Sequence, residues 1–293
     1  MSSLTMPTHI TNMKIVNSVS EMQKLSDELR KTKRIGFVPT MGYLHEGHMS
    51  LIRKAKESGD IVVASIFVNP MQFGPQEDLA KYPRNFKRDA ALLRKEKTDI
   101  IFHPFTEDMY SQDYSTYVEV KRLEDFLCGK TRTGHFVGVA TVVMKLFNIV
   151  KPHFAVFGQK DFQQLVVIER MVRDLNMDIK IIGHPTVREQ DGLAMSSRNT
   201  YLSKSEREKA LLISKSLRKA EKLFLKGERN TAILKKAVDD VLRQKDGINI
   251  EYIEICDSQN FEDLEIIKNR AVLAIACRIG KTRLIDNAIL TEA

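Results

Sequence analysis

"RIGFVPTMGYLHEGHMSLIRKAKESGDIVVASIFVNP", residues 34–70, decides the fold. Its opening, "RIGFVPT", is a short apolar run that turns at a proline, the pattern of a buried strand. In "HMSLIRKAKESG", Met49, Leu51, Ile52 and Ala55 recur at helical spacing and Gly59 supplies a stop. "DIVVASIFVNP" is a β-branched run closed by Asn69 and Pro70. Strand, helix and strand in one short stretch form a βαβ unit, which requires parallel strands.

The same alternation extends in both directions. Residues 20–32 predict an amphipathic helix, 85–97 a helix and 98–104 a strand. A long buried helix is expected over 134–150, a strand running into a glycine over 151–161, a helix over 162–176 and a strand over 177–185. This pattern gives an α/β fold: a Rossmann-like open parallel sheet with helices on both faces. The character changes after Pro185. Residues 205–245 are charged and helical, and "INIEYIEICD", "AVLAIACRIG" and "KTRLIDNAIL" follow as strand-like runs. We therefore expect two domains, 1–185 and a smaller α+β unit at 186–293, with no long linker, repeat or low-complexity segment.

Bulk properties narrow the class. The chain has 293 residues, 43% hydrophobic and 29% charged, as in globular proteins. No apolar run is long enough to span a membrane. The first twelve residues lack a secretory h-region and read as a short disordered lead, so a cytoplasmic protein is expected. Cys128, Cys256 and Cys277 are few, odd in number and without a CxxC pair, which argues against a disulfide framework or a cysteine-rich zinc site. The net charge of +8 suits a polyanion, but the basic residues are scattered with no aromatic platform, so no nucleic-acid partner is expected.

His45 and His48 leave three readings. A zinc site would want H-E-x-x-H, and H-E-G-H is one residue short, with no third ligand nearby. They could be ordinary surface histidines. Or they could face an anion: the strand before them ends near Val38, ligands in open α/β sheets bind beyond such strand ends, and a helix N-terminus offers free N–H groups. The "GKT" tripeptides at Gly129 and Gly280 lack the upstream glycine of a P-loop, and no G-x-G-x-x-G follows a strand.

H-x-G-H after a strand is similar to the HIGH motif of the nucleotidyltransferase superfamily, and "MSSRN" (195–199) resembles its KMSKS-type loop. With "FVNPMQFGPQEDLAKYPR" (67–84), "FGQKDFQQL" (157–165), "REQDGLAMSSRN" (188–199) and "GKTRLIDN" (280–287), the chain closely resembles the pantoate–β-alanine ligase family over residues 13–293. The resemblance implies ATP-dependent condensation of pantoate with β-alanine through pantoyl adenylate, with Mg2+ and a homodimer. It assigns ATP contacts to Met41, Gly42, Tyr43, Leu44, His45, Glu46, Gly47 and His48, and to Gly158, Gln159, Lys160 and Asp161. Val187 would meet the adenine, Ser196, Ser197 and Arg198 the phosphates, and Met195 is a further ATP contact. His45, His48, Lys160 and Arg198 would carry the chemistry, His48 donating to the departing pyrophosphate. Gln72 and Gln164 would hold pantoate, with Pro39, Met41 and Phe73 as candidates for an apolar wall. Asp89 resembles a magnesium-associated acid. No residue stands out as the base for the β-alanine step. The expected second domain would act as a lid. Two rival functions are a nucleotidyltransferase that releases its product and an RNA-binding relative of tRNA synthetases. For the latter no anticodon-binding domain is evident.

Overall fold

The computed structural model describes residues 13–75 and 77–292. The expected disordered lead lies outside the described residues. In chain order the elements are β1 (Lys14–Val16), α1 (Val19–Arg30), β2 (Ile35–Thr40), α2 (Glu46–Lys56), β3 (Ile61–Ile66), α3 (Phe86–Lys95) and β4 (Ile100–Phe102). Two short helices follow, α4 (Thr106–Met109) and α5 (Leu127–Thr131), then α6 (His135–Val150), β5 (Phe154–Gly158), α7 (Phe162–Asp174) and β6 (Lys180–His184). The remainder is α8 (Lys204–Leu225), α9 (Thr231–Leu242), β7 (Ile248–Asp257), β8 (Ala271–Ile279) and β9 (Thr282–Leu290).

The first six strands form one parallel sheet in the order β1-β4-β3-β2-β5-β6. Strand alternation sorts its two faces. Ile35 and Phe37 of β2 join α1, α6 and α7 in one core, while Val38 joins Met49, Ile52 and Ala55 of α2 and Leu93 of α3 in the other. Helices thus cover both faces, as the alternation predicts. The chain runs outward from β2 to β3 and β4, then returns to place β5 on the other side of β2. That reversal makes the ends of β2 and β5 the switch point where such sheets open a crevice.

The other sheet, β7-β8-β9, is antiparallel and packs on α8 and α9. Its own core holds Leu217, Phe224, Val238 and Leu273. Cys256, Phe261, Val272 and Ala274 instead join the α6–α7 core, so the two sheets share an apolar seam.

Three details depart from the sequence reading. β1 has no counterpart in it: the strand is three residues long and only Val16 is buried, too little periodicity to detect. β2 runs to Thr40, two residues beyond the expected end. The helical stretch at 205–245 is two helices, separated at Gly227, whose φ of 101° suits glycine, and restarted by Asn230, whose side chain accepts from Ile233 N.

Candidate active site

A cavity of about 230 Å³ opens at the switch point. Its floor comes from the turn after β2. Gly42 and Tyr43 both take positive φ, 79° and 49°. A Cβ on Gly42 would lie 3.1 Å from both Asp89 and Ile66, so this position needs glycine. Tyr43 is a strained choice there. Its amide is held by Asp89, which accepts from Tyr43 N at 2.7 Å and Leu44 N at 2.8 Å. Arg88 lies over the Tyr43 ring and also touches Asp89, at 3.3 Å.

This turn delivers His45 and His48 to the start of α2, with ring centroids 4.1 Å apart. The backbone N–H of His45 donates to His48 Nδ1 at 3.3 Å. That bond fixes the tautomer: Nδ1 of His48 is an acceptor, so its proton sits on Nε2. Burial, with Lys160 nearby, pushes His45 down to about 4, and burial beside His45 and Lys160 holds His48 well below its usual value. Both rings are therefore neutral at pH 7. His45 Nδ1 is buried without a hydrogen-bond partner among the described residues, an orphan of the kind a ligand satisfies.

The opposite wall is α6. Val139, Val142, Val143 and Leu146 line the cavity with Phe157, Pro39 and Met41. Gln72 enters from the turn after Asn69. Asn69 Nδ2 donates to Gln72 Oε1 (3.2 Å) and Gly138 O (3.0 Å), while its Oδ1 accepts from Tyr110 Oη (2.8 Å) and Met71 N (3.3 Å). With all four positions of the amide used, the Gln72 amide is oriented too, and its Nε2 lies 3.0 Å from Met41 Sδ. His135 makes a second tie, through Nδ1 to Gln72 O (2.8 Å) and through Nε2 to Arg132 Nη1 (2.8 Å). Its proton therefore sits on Nδ1, and burial beside Arg132 pushes it down to about 4.

Three cations line the cavity: Arg132, Lys160 and Arg198. Glu77 takes Arg132 with two 2.7 Å bonds, and Asp78 takes Arg198 with bonds of 3.1 and 2.9 Å. Among the described residues Lys160 has only a loose contact with Asp161, at 3.9 Å. A wider cavity of about 870 Å³ adjoins the first and shares these three cations, Asp161 and Ser196 with it.

Most of the expected residues meet here. Met41, His45, Gly47, His48, Gly158, Lys160 and Asp161 line the cavity, as do Gln72, Gln164, Val187 and Met195–Arg198. Pro39 and Phe73 of the expected apolar wall do so too. Gly42, Tyr43, Leu44, Glu46 and Gln159 do not. Leu44 is buried in the α2–α3 core and Glu46 points outward to Arg53. Asp89 is also outside the lining; it is 1% exposed and spends both oxygens on backbone amides. Among the described residues no group of three His, Cys, Asp or Glu could hold a metal ion. Asn69, Tyr82, Arg132, His135 and the α6 face are additions that sequence reasoning missed. The signal available for His135 was its place at the first turn of a long helix after Gly134.

The family described as pantoate-beta-alanine ligase matches residues 14–289. The chain belongs to the pantoate–β-alanine ligase family. The pantothenate synthetase of Thermotoga petrophila is 57% identical over 279 residues, which are 95% of this chain and all of that one. That of Thermotoga neapolitana matches to the same extent. Among solved structures, pantothenate synthetase from Thermus thermophilus superposes with a TM-score of 0.91 at 42% identity, covering 96% of this chain and 100% of that one. The pantoate-beta-alanine ligase from Francisella tularensis, complexed with beta-gamma ATP and beta-alanine, gives 0.77 at 36% identity, covering 95% and 98%. These likenesses run through both sheets of the ligase.

Proposed function

We propose that this ligase runs the family reaction in the cavity at the ends of β2 and β5: ATP-dependent condensation of pantoate with β-alanine through pantoyl adenylate, releasing AMP and pyrophosphate. The observation that carries this reading is the division of one cavity into a donor-rich side, formed by the start of α2 with Lys160, and an apolar side formed by α6. The first suits a triphosphate. The second suits the gem-dimethyl carbon of pantoate.

In this reading Val187 and Met195 flank the adenine, and Asp161 accepts from the ribose. Lys160, Ser196, Ser197 and Arg198 hold the phosphates with His45 and His48. Gln72 presents its NH2 group to an oxygen of pantoate, and Gln164, whose side chain has no hydrogen-bond partner among the described residues, completes that contact. The carboxylate of pantoate is ionised at neutral pH and needs no base. The residues therefore act by orientation and by meeting the charge that builds on pyrophosphate. His48 offers Nε2–H to that charge, and the phosphates raise its pKa toward proton donation. Arg198 leaves Asp78 for phosphate as ATP enters. β-Alanine attacks as the neutral amine, and we assign no residue as its base.

Magnesium belongs to this reading as a companion of ATP, carried on its phosphates and waters, where it neutralises charge. Asp89 serves by holding the turn at Tyr43. We further propose two units, 1–185 and 186–293, supported by their separate sheets, the second acting as a lid of limited travel because of the shared apolar seam. Small-angle scattering with and without a non-hydrolysable ATP analogue should show little change; a large contraction would refute the limit. A homodimer fits the aromatic row Tyr110–Tyr114–Tyr117, which runs from the half-buried Tyr110 and Tyr114 out to Tyr117, 52% exposed. Sedimentation of the wild type and of Tyr117→Asp tests that. No helix among the described residues is long and apolar enough to cross a membrane. Three buried free cysteines suit the reducing cytoplasm, where we place the reaction.

The deciding experiment follows AMP and pyrophosphate release with ATP, magnesium and D-pantoate, with and without β-alanine. AMP release that needs both substrates and falls at least about 100-fold in His48→Ala and Lys160→Met, a loss of about 3 kcal/mol, supports the site. ATP turnover indifferent to both substitutions would place the chemistry elsewhere.

A further inference from the structure

The "GKTRLIDN" stretch contributes no atom that the reaction above uses, yet two of its side chains grip both loops of the nucleotide side. Asn287 on β9 donates through Nδ2 to Gln159 O (3.0 Å) and Lys160 O (2.8 Å). The opposite amide orientation would set an oxygen against two carbonyls, so the donor assignment is fixed. Its neighbour Asp286 takes Arg188 in a bidentate pair, with bonds of 2.6 and 3.1 Å, and accepts from Asn287 N at 2.9 Å. Asp286 is 4% and Asn287 8% exposed. Arg188 begins the hairpin in which Val187 O accepts from Met195 N (3.0 Å) and Glu189 N donates to Leu193 O (2.8 Å).

We propose that Asp286 and Asn287 are positioning residues for the nucleotide: one strand of the second sheet sets the separation between the Gln159–Asp161 turn and the Val187–Ser196 hairpin. The inference rests on placing ATP at Lys160, Val187 and Ser196. The physical case is that two adjacent residues, on a strand that touches no reacting atom, hold the backbones that aim those groups. Carbonyls at a turn without such a donor would turn toward water and carry the Lys160 side chain with them.

The test is steady-state kinetics of Asn287→Asp and Asn287→Ala across about pH 5.5–8.5, each ratioed to wild type. Asn287→Asp keeps the shape but sets a carboxylate against two carbonyls. It should raise KM for ATP about 10- to 100-fold at about pH 8, more than the several-fold rise in Asn287→Ala, with KM for pantoate unchanged. The deficit should shrink as pH falls, because the introduced carboxyl group, once protonated, regains a donor. Equal effects of the two variants without pH dependence, or equal changes in both KM values, would overturn the inference. Should Asn287→Asp fail to fold, Arg188→Gln gives the same reading: a several-fold rise in ATP KM alone supports the brace, and no change refutes it. Lys160→Met separates the two levels. If it leaves KM for ATP unaltered, the nucleotide site itself is misplaced; if Lys160→Met raises it and the Asn287 variants do not, only the brace fails.

Discussion

Gly138→Ala should damage pantoate use while leaving nucleotide binding intact. Gly138 lies on α6 where the helix meets the turn carrying Gln72. A Cβ there would stand 2.2 Å from Met71 O, 2.5 Å from Met71 C and 2.7 Å from Gln72 N. Carbon–oxygen contacts settle near about 3.3 Å, so helix and turn must part by about 1 Å. The clash is with backbone, which has no rotamer to yield. The same movement strains the Asn69 bond to Gly138 O and with it the orientation of Gln72. A displacement of about 1 Å costs about 100-fold in rate, and overpacking costs about 1–3 kcal/mol of stability. Pyrophosphate release titrated with pantoate should show that loss in kcat/KM, a thermal melt should register the stability term, and equilibrium titration with a fluorescent ATP analogue should match wild type. A folded Gly138→Ala enzyme with wild-type pantoate kinetics would refute the placing of Gln72, and an equal loss of nucleotide affinity would refute the division of the cavity.

Asp89→Ala should lower stability by about 3 kcal/mol, since it strips the acceptor from two buried amides, and should raise KM for ATP; thermal melts and kinetics check both. Asp78→Ala should lower KM for ATP by up to about fivefold, because Arg198 then reaches phosphate without leaving a half-exposed carboxylate, and a rise would contradict the exchange. Stability should fall as pH drops below about 6.5. His45, His48 and His135 are held neutral in the fold, so the unfolded chain binds more protons between about 6.5 and about 4 and stability rises with pH across that window. At about pH 5 His45 and His135 each cost on the order of 2 kcal/mol, His48 acts in the same direction, and His135→Gln should flatten the pH dependence of Tm measured by circular dichroism.

The fold was legible wherever hydrophobic period and stop signals agreed, as across 34–70 and 134–150. β1 was not, because a three-residue edge strand carries no period. The cavity was legible, on the side where we propose the nucleotide, through short motifs that place His45, His48, Lys160 and Arg198 at element ends. The apolar side, where we propose pantoate, was harder to read. α6 is apolar almost all round, so nothing in its sequence says that Val139, Val142, Val143 and Leu146 face a cavity while Phe136 and Phe147 face the core. Asn69 reads as a strand stop, and only its four bonds show that it orients Gln72. Asp89 has a structural role that the sequence did not announce. A carboxylate near a phosphate site suggests a metal; what the sequence does not show is that the turn with two consecutive positive φ values before Leu44 takes Asp89 as its acceptor.

The order in which the chain is made gives β9 another meaning. Asn287 and Asp286 leave the ribosome after both loops that they grip and after every cavity-lining residue named above. A nascent chain that has completed the parallel sheet already owns its two histidines and Lys160, but not the ties from β9 to the turn at Gln159 and the hairpin at Arg188. In our proposal competence for ATP therefore arrives late and together with closure of the small sheet, and a chain cut short before residue 286 would lack both ties of the nucleotide grip.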